Sequence, residues 1–355
     1  MGEGRVLEVL GLSTGGIRAH VGALRAGLVE RGWEVVVAAP TGGDVAIPVP
    51  DGLDPVDLAR AVRRLRAQLA AFDLVHAHGL KAGWTASLAR SRPWVLTVHN
   101  AVLPGQGGAT EPVLRSLERR LPRRADAVIA TSAQLGSGLD GLVPPERLHV
   151  IPPVGPAPRA TRPASEVRQE LGVAEGTSLI VGVGRLHPQK AWPTLLEAAA
   201  RLRPPRPVRV VIVGEGPLEG DLRARLAALH LEGVVSLAGA RPDAVDLLAA
   251  ADVVVVASSW ESGPLVLAEA MTLGRPVVTT PVGFATDLVD DGVTGRLVPA
   301  GDAAALGDAL TSVLSDPESA ARMGAAGAGR VAAVLDRDKL IDEVAAVYHQ
   351  VLRRT

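Results

Sequence analysis

Short runs of β-branched and other apolar residues alternate with longer segments of helical period along most of the chain. In the first half, the apolar runs predict strands at 5–10, 34–39, 73–78, 94–99 and 126–130. Between them lie segments rich in Ala, Leu and Arg, whose composition suits amphipathic helices, at 17–32, 55–71 and 111–121. Strands joined by helices predict parallel βαβ units with helices on both faces of a sheet.

The same alternation begins again in the second half of the chain. The strands predicted there lie at 178–183, 208–213, 234–238, 252–257 and 277–280. Between the halves, the proline-rich stretch 150–165 predicts an extended linker, because proline fixes φ and disfavours helix at the residue before it. We therefore predict two doubly wound α/β domains, followed by one amphipathic helix at 336–355.

Composition narrows the class of protein. The chain has 355 residues, a formal net charge of −1, 2% aromatic residues and no cysteine. The near-neutral charge and the scarcity of aromatic residues argue against binding to nucleic acid. Without cysteine there are no disulfides, thiolate nucleophiles or Cys-based zinc sites. Since neither a secretory signal nor a long apolar span is evident, we predict a cytoplasmic protein.

Two glycine-rich stretches follow predicted strands, at the sheet edge where open α/β sheets bind ligands. Gly15 and Gly16 end the stretch GLSTGG after the first strand, and Gly214 follows the strand at 208–213. Such glycines either let the backbone approach a phosphate at a helix start or only form a tight turn. The glycines after 208–213 are too widely spaced for Gly-x-Gly-x-x-Gly, which makes a nicotinamide-dependent dehydrogenase a weak alternative.

Two cations lie on one loop after the strand at 178–183, in the sequence GRLHPQK. Arg185 offers a planar fork of donors and Lys190 offers a point charge, and together they can neutralise a diphosphate. The alternative is that both side chains are ordinary solvated surface cations.

The stretch WESGPLVLAEA carries two glutamates, Glu261 and Glu269, in apolar surroundings with no evident partner. A buried carboxylate costs several kcal/mol unless something pairs with it. Eight residues span roughly 12 Å along a helix, which fits poorly with the carboxyl separation of a glycosidase acid and base. In the structural alternative, Glu261 interacts with a helix dipole and Glu269 forms a salt bridge with Arg275.

The same stretch predicts the start of a buried helix. Pro264 suits the first turn, where its missing N–H costs nothing. The backbone N–H groups at that start would form an anion site, and they belong to Gly263, Leu265 and Val266.

Histidines lie at or near the carboxyl ends of predicted strands in the first half. His99 ends the strand at 94–99 and is the best candidate for a functional histidine, because it terminates an apolar strand. His76 and His78 end the strand at 73–78, and His20 lies on the first predicted helix. A lone histidine is more often structural than functional.

Several motifs together resemble a known family. In the second half they are GRLHPQK, ESGPLVLAE and GRPVVTTPVGFATDLVDDGVTGRLVPAGD, and in the first half GGIRAHVGALRAGLVERGWEV and DLVHAHG…VLTVHN. In this order they resemble family 4 of the retaining nucleotide-sugar glycosyltransferases, whose signature is Glu-x7-Glu. The match covers nearly the whole chain. Before the linker, the chain has IPPVGPAP where the family often has Asn-Gly-Val.

The resemblance implies the GT-B fold, with two Rossmann-like doubly wound α/β domains facing across a cleft. It implies an acceptor-side domain at 1–155, a nucleotide-sugar-binding domain at 156–335 and a helix at 336–355 that crosses back to the N-terminal domain. The implied activity is retaining transfer of a hexose from a UDP- or GDP-linked sugar to a hydroxyl of a small-molecule, glycan or lipid-linked acceptor. No cofactor and no metal is required, because cations and a helix start handle the charge of the leaving group.

The resemblance also implies roles for the candidate residues. Arg185 and Lys190 would stabilise the diphosphate as a leaving group. Glu261 would contact the donor sugar and Glu269 the ribose hydroxyls, while His99 would lie near the reacting carbon. The other donor-binding positions are backbone groups in glycine-rich turns or at the helix start, namely Gly15, Gly16, Gly214, Gly263, Pro264, Leu265 and Val266.

Two alternatives stay open. A nucleotide-sugar-binding protein or an epimerase on the same fold would keep these residues without glycosyl transfer. The five arginines within 115–124 form either a solvated face or a peripheral contact with anionic lipid on the inner face of the membrane. The expected partners are therefore the donor and an acceptor, with no nucleic acid.

Overall fold

The computed structural model describes residues 2–12, 16–50, 54–91, 93–99, 111–261 and 263–354. The chain forms two compact units. The N-terminal unit comprises Met1–Pro156 and Arg337–Thr355, and the C-terminal unit comprises Ala157–Asp336. Between Val150 and Ala164 the chain has no regular secondary structure, as the prolines there predict.

The N-terminal unit contains a parallel sheet. Its strands in the described residues are β1 Gly4–Leu10, β2 Trp33–Ala39, β3 Val45–Ala46, β4 Leu74–His78, β5 Trp94–Val98, β6 Ala127–Ala130 and β7 Leu148–Val150. Their order across the sheet is β3-β2-β1-β4-β5-β6-β7. This order makes β1, β4 and β5 neighbours, with Leu10 beside His78 and His78 beside Thr97. The side chains at the carboxyl ends of these strands therefore lie close together.

The C-terminal unit contains a second parallel sheet. Its described strands are β8 Ser178–Val183, β9 Val208–Val213, β10 Val235–Leu237, β11 Val253–Val256, β12 Val277–Thr279 and β13 Arg296–Leu297. Their order is β10-β9-β8-β11-β12-β13, so β8 and β11 are central neighbours. Alternate residues of β8 enter different core clusters, with Ile180 in one and Leu179 and Val181 in the other. Burial on both faces explains why the central strands β8 and β11 consist mainly of apolar residues.

Helices connect the strands of both units. Within the described residues they are α1 Gly16–Glu30, α2 Pro55–Arg66, α3 Gly79–Ala89, α4 Glu111–Arg120, α5 Ala133–Ser137, α6 Ala164–Glu170, α7 Trp192–Ala199, α8 Glu219–Ala228, α9 Ala244–Ala250, α10 Leu265–Thr272, α11 Ala285–Leu288, α12 Ala303–Ser315, α13 Pro317–Val334 and α14 Arg337–Leu352. None of the helices in this part of the chain has an apolar stretch long enough to span a lipid bilayer.

The last helix, α14, packs within the N-terminal unit. Ile341 lies over Gly27 of α1, where an added Cβ would fall 2.0 Å from Ile341 Cδ1. Tyr348 of the same helix is fully buried. The absence of a side chain at Gly27 thus allows the two helices to approach closely.

The two predicted α/β domains with parallel sheets are confirmed. The predicted strands are present with ends that shift by at most one residue, and the predicted helix at 55–71 ends at Arg66, before a short 3-10 turn at Leu69–Ala71. The pattern did not predict helix α3 or the short strands β3, β7 and β13.

Candidate functional site

The loop after β8 carries Arg185 and Lys190, as predicted. The indole Nε1 of Trp192 donates to the carbonyl oxygen of Arg185 at 2.8 Å, which fixes the loop against the start of α7. The Arg185 side chain is exposed and makes no hydrogen bond or ion pair with another described residue. Its guanidinium donors are therefore available to an anion, whereas Lys190 is engaged within the unit.

Lys190 forms an ion pair with Glu261. Lys190 Nζ donates to Glu261 Oε1, and the two side chains are 18% and 10% exposed. The hydroxyl of Ser258 donates to the same oxygen at 2.8 Å. The expectation that Glu261 lacks a protein partner is wrong, because residues after β8 and β11 surround this carboxylate. These contacts hold its charge at the edge of the sheet.

Gln189 connects the same two loops. Its side-chain amide donates to the carbonyl oxygen of Trp260 at 3.0 Å and lies 3.4 Å from Glu261 Oε2. The backbone carbonyl oxygen of Gln189 accepts a hydrogen bond from the backbone N–H of Ser259 at 2.9 Å. Thr280, after β12, donates to the carbonyl oxygen of Ser258 at 2.6 Å. The loops after three neighbouring strands are thus held in one arrangement around Glu261.

Helix α10 starts one residue after Pro264. Leu265 and Val266 form its first turn, and Gly263 and Pro264 precede it, while Ser262 lies outside the described residues. The first N–H groups of a helix lack intrahelical acceptors and point along the axis. The helix starts where the sequence predicts it, and the binding of an anion by its first N–H groups stays a prediction.

Glu269 lies in the second turn of α10 and differs from Glu261. Its carboxylate makes no hydrogen bond or ion pair with any residue that the structure describes, and burial raises the pKa of this carboxyl group. The alternative of a salt bridge with Arg275 is not observed, because Arg275 donates to the carbonyl oxygens of Leu273 and Ala251 at 3.3 and 3.4 Å. Glu269 is thus a half-buried acid without a stabilising donor in the described chain.

Gly214 brings the loops after β8 and β9 into close contact. Its φ is +143°, and a Cβ at this position would lie 2.0 Å from the carbonyl oxygen of Gly184. Gly184 is itself covered by the Lys190 side chain, whose Cε would lie 3.0 Å from an added Cβ. The absence of a side chain at Gly184 therefore makes room for the Lys190 stem, and a direct contact of Gly214 with a donor stays a prediction.

In the N-terminal unit, Gly16 is the first residue of α1, after β1. Gly15 lies outside the described residues. The expected contact of Gly16 with a diphosphate stays a prediction.

His99 belongs to a buried cluster of polar side chains at the carboxyl edge of the N-terminal sheet. His99 Nε2 lies 3.0 Å from His78 Nδ1, and His78 Nε2 lies 2.5 Å from Glu8 Oε2. His20 Nδ1 lies 3.1 Å from the carbonyl oxygen of Val154. Glu8 is fully buried, and each of these histidines is 4% exposed. The histidines named separately in the sequence are therefore neighbours.

Burial determines the charge of this cluster. It lowers the pKa of His20 to about 3 and that of His78 to about 4, and it lowers the pKa of His99 well below the usual range. Burial opposes the charged form of Glu8, but His76 and His78 outweigh it and lower the pKa of that carboxyl group. At neutral pH the cluster thus holds an ionised Glu8 with neutral His20, His78 and His99.

Within the described residues, two groups of side chains bring together potential metal ligands, and both include His78. They are His20 with His78 and His99, and Glu8 with His76 and His78. However, both ring nitrogens of His78 lie within hydrogen-bond distance of protein atoms. The contacts of His78 are thus accounted for without a metal ion.

The sequence patterns did not single out Ser258, Gln189, Glu8 or Tyr348. Glu8 carried a signal, since it is the one charged residue within the run VLEVL. Ser258 and Gln189 carried none, because serine and glutamine in a loop are common.

Known proteins resemble the chain over both units. Residues 164–330 match the family described as Glycosyl transferases group 1, and residues 15–154 match the Glycosyl transferase 4-like domain. A D-inositol 3-phosphate glycosyltransferase from Nocardia farcinica is 36% identical over 315 residues, which cover 81% of this chain and 69% of that protein.

Solved structures show the same fold. Anabaena HepE, in complex with UDP and glucose, superposes with a TM-score of 0.83 at 25% identity, over 98% of this chain and 100% of that one. Sucrose-phosphate synthase from Thermosynechococcus elongatus has a TM-score of 0.86 at 23% identity, over 99% of this chain and 100% of that one. The chain therefore belongs to the glycosyl transferases group 1 family and is a glycosyltransferase of the family 4, GT-B type.

Proposed function

We propose that the protein transfers a hexosyl group from a UDP- or GDP-linked sugar to a hydroxyl of an acceptor, with retention of the anomeric configuration. The observation that carries this proposal is the contrast between Glu261, held by Lys190, and Glu269, which has no donor in the described chain. A ribose offers two neighbouring hydroxyls, which would satisfy the Glu269 carboxylate and repay the cost of its burial.

The donor diphosphate would bind to the free guanidinium of Arg185, to Lys190 and to the start of α10. Lys190 can retain its contact with Glu261 while it donates to a phosphate oxygen, because an ammonium group has three donors. Among the described residues, Glu261 Oε2 has only the long contact with Gln189, so it can also accept a hydrogen bond from a sugar hydroxyl. The leaving phosphate would thus be stabilised by protein cations, without a metal ion or other cofactor.

Retention would follow if attack and departure occur on one face of the sugar, with the departing phosphate oxygen taking the proton of the acceptor. The acceptor is a hydroxyl compound whose identity is open. The names of relatives include an inositol phosphate and malate as acceptors. A test panel should therefore contain small anionic hydroxyl compounds as well as glycans and lipid-linked sugars.

The first experiment is a thermal-shift screen of UDP- and GDP-sugars, followed by mass spectrometry of reactions with the acceptor panel. We expect one donor to stabilise the protein and to be consumed only when an acceptor is present. The coupling constant of the anomeric proton in the product tests retention, and an assay in EDTA tests independence from metal ions. Conversion of the donor without an acceptor would indicate an epimerase, and stabilisation without any product would indicate a binding protein.

Variants of the site test the assignment. We expect Lys190→Ala and Glu261→Ala to lower kcat/KM about 100-fold or more, because each removes a group that stabilises or orients the leaving phosphate. Arg223→Ala is the matched control, since its exposed ion pair with Glu219 lies within a single helix of the same unit. Full activity in both site variants would contradict the proposal.

We infer further that the exposed arginines of α4, Arg119 and Arg120, bind anionic lipid. In the structure, α4 carries exposed Arg119 and Arg120, and Val113 on the same helix is 54% exposed. Basic side chains beside an exposed apolar one suit a peripheral contact with a membrane surface. Sedimentation with vesicles that contain anionic lipid should remove the protein from solution. A protein that stays in solution, as with neutral vesicles, would show that this helix is a solvated face.

A further inference from the structure

A line of buried side chains runs across three neighbouring strands of the N-terminal unit. It joins Glu8 of β1 to His78 at the end of β4, and His78 to His99 directly after β5. All three are almost completely buried. Because burial limits competition from water, the donors and acceptors along the line determine which atom carries each proton.

The C-terminal helix α14 contributes a residue, Tyr348, that contacts Glu8 at the other end of the line. The Tyr348 hydroxyl donates to Glu8 Oε1 at 2.9 Å. Burial and the charge of Glu8 raise the pKa of Tyr348, which keeps the hydroxyl protonated. The same hydroxyl lies 2.6 Å from His76 Nδ1, and His76 Nε2 lies 2.6 Å from Thr97 Oγ1. Since Tyr348 has given its one proton to Glu8, it accepts from His76.

The donors and acceptors along the line determine which ring nitrogen of each histidine carries the proton. An ionised Glu8 only accepts, so His78 Nε2 carries the proton between them. His78 is neutral, so its Nδ1 has a lone pair and accepts from His99 Nε2. His99 is also neutral, which leaves its Nδ1 with a lone pair. No described residue donates to His99 Nδ1.

We propose that Glu8 and His78 are positioning residues for His99: they hold its imidazole as the tautomer with the proton on Nε2, so that Nδ1 accepts a hydrogen bond from a substrate hydroxyl. We call the line Glu8–His78–His99 the relay, and Tyr348 on α14 supports it through its hydrogen bond to Glu8. The part that concerns substrate rests on the proposed function, whereas the tautomer of His99 does not.

The tautomer can be observed directly in the full-length protein. Long-range proton–nitrogen NMR spectra of protein labelled with ¹⁵N-histidine distinguish a protonated ring nitrogen from an unprotonated one. We expect His99 in the wild type to have a protonated Nε2 and an unprotonated Nδ1 at neutral pH. A protonated Nδ1 would overturn the proposal without any variant being needed.

Two matched variants test the cause. Glu8→Gln replaces the obligatory acceptor by an amide that can also donate, so His99 should populate both tautomers. If the protein is the proposed transferase, kcat should fall about 10- to 100-fold with KM changed little, as for other residues that orient a functional histidine. Thr97→Val is the control, because Thr97 contacts His76 and not the line from Glu8 to His99. It should leave the His99 tautomer unchanged.

The outcomes separate the two proposals. An unchanged His99 tautomer in Glu8→Gln would overturn the relay, whether or not the protein transfers sugar. A changed tautomer in a protein with no transferase activity would support the relay and contradict the proposed function. Addition of Zn²⁺ tests the rival arrangement. Stoichiometric binding that shifts the His78 and His99 nitrogen signals and is lost in His20→Ala would mean that the imidazoles ligate a metal, and it would overturn the relay.

Discussion

Glu261 and Glu269 lie on the same strand-to-helix segment, but their carboxylates differ in the hydrogen-bond donors around them. Glu261 receives hydrogen bonds from Lys190 and Ser258, so its charge is compensated within the unit. Glu269 is half-buried without such donors, and burial raises its pKa. The first carboxylate is stabilised by its surroundings, whereas the second destabilises the unit whenever it is ionised.

Glu269→Gln should therefore raise the stability of the ligand-free protein. Because the folded-state pKa of Glu269 is raised, the wild type loses stability as pH rises from about 4 through that pKa. The glutamine cannot ionise, so its advantage in Tm should be present at pH 7 and vanish below about pH 4. The same variant should bind UDP or GDP roughly 10- to 100-fold more weakly, because it loses hydrogen bonds to a charged acceptor.

Thermal unfolding at pH 4 and pH 7 and calorimetric titration with UDP and GDP measure both effects. Thr272→Val, at the far end of α10, is the control for an altered helix and should leave nucleotide affinity unchanged. A Glu269→Gln protein that is less stable at pH 7 than the wild type would show that Glu269 is a structural residue.

The Lys190–Glu261 pair should show strong coupling in stability. Lys190→Met alone leaves a buried carboxylate with fewer donors and should cost about 1–3 kcal/mol of unfolding free energy. Adding Glu261→Gln to it removes the charge and should restore part of that loss. The same cycle on Arg223 and Glu219, which are exposed on one helix, should give a coupling of only about 0.3–0.5 kcal/mol. Equal couplings from denaturant unfolding of the two cycles would contradict the assignment.

At the scale of elements, the candidate site depends on how closely the turns after β8 and β9 approach each other. Gly184 and Gly214 lie at this contact, and Leu186 N–H donates to the carbonyl oxygen of Glu215 at 2.8 Å. The turn that carries Arg185 and Lys190 is therefore supported from the neighbouring strand. A substitution in the turn after β9 should therefore displace Arg185 and Lys190 although neither residue is itself replaced.

Gly214→Ala should disturb this contact. Its φ of +143° is unfavourable for alanine, and the new Cβ would collide with backbone at Gly184. We expect a loss of stability of about 1–3 kcal/mol and reduced nucleotide affinity. Gly220→Ala is the control, because it lies in α8 with nothing within 4 Å of an added Cβ, and it should stabilise by about 0.5–1 kcal/mol. A Gly214→Ala protein with wild-type stability and nucleotide affinity would contradict this view.

Strands and helices with a long apolar pattern were predictable from the sequence, whereas short elements were not. Five of the six residues of strand β8 are buried, whereas β3 and β13 are two residues long and offer no pattern to detect. The loop with Arg185 and Lys190 followed from its place after a strand. The link from Glu8 to His99 did not, because it requires β1, β4 and β5 to be neighbours, and strand order comes from tertiary packing.

At the scale of the whole molecule, the two units differ in how many histidines have a lowered pKa. They are His20, His78, His99 and His149 in the N-terminal unit and His187 in the C-terminal unit. The N-terminal unit buries neutral histidines whose pKa values are lowered, about 3 for His20 and about 4 for His78. The C-terminal unit has Glu269, whose pKa is raised. Protonation between about pH 6.5 and pH 4 therefore opposes folding of the N-terminal unit more than that of the C-terminal unit. Below about pH 4, carboxyl groups with a lowered pKa oppose folding of both units, such as Glu8 in the first and Asp243 in the second.

Acid should unfold the N-terminal unit first. Histidines in an unfolded chain titrate near pH 6.5, so between about pH 6.5 and pH 4 the unfolded unit binds protons that the folded unit does not. Each such histidine lowers the unfolding free energy by up to about 1.4 kcal/mol per pH unit as pH falls through this window. Below this pH window, protonation of Glu8 adds to the loss of stability, since its pKa is lowered in the folded state.

Hydrogen exchange followed by mass spectrometry, corrected for the intrinsic pH dependence, reports each unit separately. Peptides from β1, β4 and β5 should lose protection before those from β8, β11 and β12. His20→Gln removes one titrating group and should flatten the dependence for the N-terminal unit only. Earlier loss of protection in the C-terminal unit would show that the buried histidines do not determine acid stability.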